Sequence, residues 1–106
     1  MEGGNVAVEI VTEGEMWTLP PRSAKESAYR LTHRADGRWV AQATSHERYT
    51  NGGEWFTPFL SVLTPKEACI GLVRRMATQI KDKTYLHEVA HAITGATGAP
   101  PPDDIP

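Results

Sequence analysis

His87-Glu88-Val89-Ala90-His91 is the segment whose residue types and spacing come closest to a catalytic pattern. Residues four apart on a helix share a face, so two imidazoles at this spacing can bind one zinc ion. The glutamate between them then sits where it can act as general base on a metal-bound water. On this reading His87 and His91 are metal ligands, Glu88 is the catalytic residue and zinc is the cofactor. The same residues also read without a metal. Leu86, Val89, Ala90 and Ile93 form the apolar stripe of a short amphipathic helix, and His87, Glu88 and His91 fall on its flank and outer face. Other reactive residues are less well placed. Cys69 falls on the apolar stripe of another helix, as a buried thiol would. His46-Glu47-Arg48 reads as a loop with no identifiable partner. Gly3-Gly4 and Gly52-Gly53 lack the following helix and lysine of a phosphate-binding loop.

Around the two histidines the chain resembles the active-site helix of the zincin metallopeptidases. Thr84, uncharged Tyr85, His87, Glu88, uncharged Val89 and Ala90, His91, uncharged Ala92 and hydrophobic Ile93 follow the longer zincin pattern. The resemblance covers roughly ten residues and implies His87 and His91 as ligands and Glu88 as catalytic base. Zincins complete the site with a third protein ligand, usually downstream. Fifteen residues follow His91, with no His or Glu among them. The third ligand would then be Asp103 or Asp104 on a tail that folds back, or His33 or His46 from upstream. A catalytic zinc needs three protein ligands and an open position, so the length of the chain argues against this chemistry.

The elements that must position these residues follow from patterning. Val6–Val11 reads as a strand leading into a turn at Glu13-Gly14-Glu15, with Met16–Leu19 as the return strand. Tyr29, Leu31 and His33 alternate with Arg30, Thr32 and Arg34, and Trp39, Ala41 and Ala43 alternate with their own polar neighbours. A two-residue turn at Asp36-Gly37 would mix polar and apolar residues on each face. A three-residue loop, Ala35 to Gly37, sets His33 opposite Trp39, Leu31 opposite Ala41 and Tyr29 opposite Ala43, with Gly37 as the left-handed residue of a bulge. Asn51-Gly52-Gly53 is a second turn, and Phe59–Leu63 a further strand. Thr64-Pro65-Lys66-Glu67 is a capping box that starts a helix running to Ile80 or Lys81, with Cys69, Leu72, Val73, Met76 and Ile80 as its core stripe. A second, short helix runs from Thr84 to about Thr94 and is ended by Gly95 and Gly98. The expected fold is α+β: a small antiparallel sheet of three to five strands against one main helix, then a short C-terminal helix. Residues 1–98 form the domain and 99–106 a proline-rich extended or disordered tail.

Composition limits what this domain does. The 106 residues suffice for one domain, and no apolar run approaches the roughly 20 residues that span a bilayer. One cysteine and no Sec-type leader point to a soluble, cytoplasmic protein. The net charge of −2 conceals an asymmetry, because all 11 basic residues lie between Arg22 and Lys83, where they outnumber six acids. The residues on either side are acidic. A basic middle of this kind points to an anionic partner or to acidic ends that fold over it. In the register above, Arg30, Arg34 and Arg38 lie on one face beside Thr32 and Gln42.

From Tyr29 to Met76 a hairpin, a further strand and a capped helix follow one another, with Gly37-x-Trp39-x-Ala41 and Thr64-x-x-Glu67-Ala68 at the landmarks. This order resembles the sheet-plus-helix DNA-binding domain at the N-terminus of tyrosine recombinases. The resemblance implies a sheet entering the major groove through Arg30, Arg34, Arg38, Thr32 and Gln42. The function expected is a small non-enzymatic binding or regulatory module with a protein or nucleic-acid partner and no membrane partner. Self-association into a homodimer is compatible with it, and it needs no cofactor. Such a chain would suit an accessory protein of a phage or mobile element. The rival is a zinc-dependent, metallopeptidase-like hydrolase using the 87–91 helix.

Overall fold

The computed structural model describes residues 8–52 and 55–98. Among these residues, five strands form one antiparallel sheet in which every strand pairs with its neighbour in sequence. They are β1 (Val11–Glu13), β2 (Met16–Leu19), β3 (Ala28–His33), β4 (Trp39–Thr44) and β5 (Thr57–Leu63). A short helix, α1 (His46–Thr50), lies between β4 and β5, and α2 (Pro65–Ala77) and α3 (Lys83–Thr97) follow the sheet. The class is α+β, with the two long helices on one face of the sheet.

The β3–β4 hairpin adopts the three-residue-loop register, with His33 opposite Trp39, Leu31 opposite Ala41 and Tyr29 opposite Ala43. The Arg34 amide donates to the Arg38 carbonyl and the Gly37 amide to that of Arg34, while Gly37 takes a φ of +85°. Strand alternation then divides the side chains. Trp17, Leu19, Tyr29, Leu31, Trp39 and Ala41 face the helices and are buried. Cys69, Leu72, Val73 and Met76 of α2 and Leu86, Val89 and Ile93 of α3 close the core from the other side. Burying each of the leucine, valine, isoleucine and methionine side chains stabilises the fold by about 1.5–3 kcal/mol. Cys69 is fully buried, which pushes its thiol pKa up and leaves little thiolate to react.

Several boundaries differ from the sequence reading. The first strand covers Val11–Glu13 rather than Val6–Val11, of which residues 6 and 7 lie outside the described residues. Residues 46–50 are helical rather than looped, because Ser45 is an N-cap whose hydroxyl accepts from the Arg48 amide. The capping box on Thr64 and Glu67 forms, with both reciprocal hydrogen bonds. The helix it starts ends at Ala77, where the Thr78 hydroxyl donates to the Arg75 carbonyl. Turn hydrogen bonds continue to Ile80, which keeps that residue in the core. The C-terminal helix is the longer of the two, 15 residues against 13. Asp82 caps its start, it continues through Gly95, and Gly98 ends it at a φ of +79°. The tail at 99–106 lies outside the described residues. Among the described residues no helix is long and apolar enough to cross a membrane.

Candidate functional site

The face of the sheet turned away from α2 and α3 carries the polar half of each strand. Arg30 pairs with Thr18 on one side and Gln42 on the other, so the three share this face at mid-sheet. The Arg30 Nε donates to Thr18 Oγ1 at 3.2 Å, and its guanidinium lies over the Phe56 ring at 3.8 Å. Tyr49 of α1 meets the same ring edge-on at 6.3 Å. Thr18, an aromatic plane and α1 therefore hold the guanidinium in place. Among the described residues no hydrogen bond or ion pair engages its two terminal nitrogens. Arg30, Thr18, Tyr49 and Glu13 line an open groove of about 600 Å³.

Of the five residues that the sequence singled out for a partner, three stand together here. The Thr32 hydroxyl donates to Gln42 Oε1 at 2.9 Å, which orients the Gln42 amide. Arg34 and Arg38 lie beyond the strands, at the mouth of the hairpin loop. Asp36 engages both of them: Arg34 by an ion pair of 3.1 Å, and the Arg38 amide by a hydrogen bond of 3.0 Å. Arg38 also lies close enough to Glu67 to help hold that carboxyl below its usual range, behind the larger effect of the Thr64 backbone hydrogen bond. Sequence reasoning missed Tyr49 and Phe56. The cue for Tyr49 was Ser45 followed by an acid in the first turn, which marks a helix start. Nothing local pairs Phe56 with Arg30.

A second recess, of about 430 Å³, opens beneath the β1–β2 hairpin beside α3. Trp17, Trp39, Ile10 and Ala92 make it largely apolar, and His33 and Glu15 supply its polar edge. His33 stacks on Trp39 with ring centroids 4.4 Å apart, and its Nδ1 lies 3.0 Å from Glu15 Oε2.

The 87–91 motif is on α3. Tyr85, Leu86, Val89, Ala90 and Ile93 are buried, His87 and His91 are exposed, and Glu88 is half-buried on the flank. Neither imidazole has a hydrogen-bond or ion-pair partner among the described residues. No group of three His, Cys, Asp or Glu side chains able to hold a metal occurs among those residues. Of the two upstream ligand candidates, His33 is engaged by Glu15 and His46 begins α1, so neither joins the pair. Asp103 and Asp104 lie outside the described residues. Among the described residues, then, the pair is one protein ligand short of a catalytic zinc site. Comparison with known proteins found no matching family model, no matching curated protein and no matching solved structure.

Proposed function

We propose that this protein is a small non-enzymatic binding module that holds an anionic group of its partner, a nucleic acid or an acidic protein segment, on the outer face of its sheet. The observation that carries the reading is Arg30. Among the described residues this half-buried guanidinium has no carboxylate partner, and such a group is costly to bury unless something else satisfies its donors. Phe56, Tyr49 and Thr18 position it at a groove, and the open end of its fork suits the two oxygens of a phosphate or carboxylate. The Gln42 amide stands beside it as a second donor, and Arg34 and Arg38 lie at the hairpin end.

Fluorescence anisotropy with a labelled DNA duplex and with a labelled acidic peptide tests the reading. Binding to one of them should weaken at least tenfold between about 50 and 200 mM salt, as release of several counterions requires. Arg30→Ala should weaken it tenfold or more at low salt, because a charge-assisted bidentate contact contributes about 1.5–3 kcal/mol. Equal binding by Arg30→Ala and the wild type, or no binding to either probe, would sink the proposal.

A further inference from the structure

The histidine pair on α3 lies on the opposite side of the molecule's sheet from Arg30, and it points to a second property. We infer that His87 and His91 form half of a zinc site that a second copy of this chain completes, so that zinc joins two molecules through the outer faces of their α3 helices.

The pair is built to ligate. Four residues apart on a helix, the two Cβ atoms lie about 5–6 Å from one another, which lets both rings reach one ion. The helix beneath them is anchored by five buried side chains, the Asp82 cap and the Gly98 terminus, so binding costs little backbone ordering. Both rings are exposed, and neither is engaged by another group among the described residues. What the pair lacks is ligand number. Structural zinc takes four ligands in a tetrahedron, and among the described residues no third ligand joins this pair. Two copies related by a twofold axis supply four imidazoles, which is the required set.

The helix face also permits the approach. Thr84, His87, His91 and Gly95 form one exposed strip along α3, with the small residues Thr84 and Gly95 bracketing the histidines. No bulky side chain on that strip holds a second helix away. Glu88 flanks each pair, and the two Glu88 carboxylates offset the double charge of an ion held by four neutral rings. The glutamate that a hydrolase would need as base here has an electrostatic role.

The test uses the full chain, purified with chelator and titrated with zinc chloride, and follows molecular mass by sedimentation together with bound metal. The expected result is half a zinc per chain, a doubling of mass on adding zinc, and return to monomer with EDTA. Cobalt in place of zinc should give the intense visible bands of four-coordinate nitrogen ligation. His87→Ala and His91→Ala, both at exposed positions, should each lose zinc-dependent dimerisation, and Glu88→Gln should keep it with weaker zinc affinity. One zinc per chain on an unchanged monomer would overturn the inference, because the third ligand would then come from the same chain. No zinc uptake, or a dimer indifferent to EDTA, would overturn it as well. These readouts do not involve Arg30, so failure here leaves the anion-binding reading untouched, and the reverse holds too.

Discussion

Individual side chains join parts of this fold that are far apart in sequence, and Gln79 is the clearest case. It follows α2, yet its Oε1 accepts from the Tyr29 hydroxyl and from the Ser27 amide, while its Nε2 donates to Ser27 Oγ at 3.0 Å. One amide thus fastens the start of β3 to the end of α2 and satisfies a buried phenol. Gln79→Ala should cost about 1–3 kcal/mol, because it removes the acceptor of the buried Tyr29 hydroxyl. Tyr29→Phe in the same background should recover much of that loss, and urea unfolding of the single and double variants measures it. Arg30 and Phe56 make a similar long-range pair. Their contact could not be read from the sequence, because two residues 26 apart meet only once α1 has turned the chain back over the sheet.

Elements were legible where a local pattern admits one solution. The β3–β4 register followed from requiring a single apolar face, since the alternative loop length would have put Arg34 opposite Trp39. That register depends on Gly37, whose φ of +85° is strained for any side chain. Gly37→Ala should destabilise the protein by about 1–2 kcal/mol, seen as a lower urea midpoint at unchanged slope. An unchanged midpoint would mean that the bulge is dispensable. The start of α2 was equally plain, because threonine, proline and glutamate each have a separate reason to stand at their positions in a capping box. Helix α1 was not legible. It has five residues and buries none of them, so there is no apolar periodicity to detect. The end of α3 was misread because Gly95 is exposed and costs only about 1 kcal/mol inside a helix, while Gly98 supplies the left-handed stop. Of the candidate site, the polar strand positions could be listed from alternation, but the aromatic support under Arg30 could not.

At the scale of the whole molecule, the core holds protons that the unfolded chain would release at high pH. Burial pushes the Tyr29, Tyr85 and Cys69 pKa values up, and Tyr85 is raised even though Arg22 lies 3.5 Å over its ring. A group whose pKa is higher folded than unfolded contributes stability below its unfolded value and loses it as pH rises through the folded one. The thermal midpoint should therefore fall once pH passes about 8.5–10, the range in which free thiols and phenols ionise. On the acid side, Glu26 is held below its usual range by Arg22 despite the opposing cost of its own burial, with the two side chains 2.8 Å apart. Its contribution is lost as pH falls through that lowered value. Differential scanning calorimetry from pH 3 to 11 checks both limbs, and a midpoint flat above pH 10 would contradict the alkaline one.

The order of elements along the chain has a consequence for synthesis. All five strands are translated before either of the helices that cover them. Until α2 and α3 leave the ribosome, Trp17, Leu31 and Trp39 belong to an apolar surface that lacks the helices that bury it. The nascent sheet is then a sticky intermediate, and its solubility depends on how quickly the next 35 residues arrive. A fragment ending at Leu63 should accumulate as aggregate or on chaperones, and supplying residues 64–98 as a separate peptide during refolding should rescue part of it.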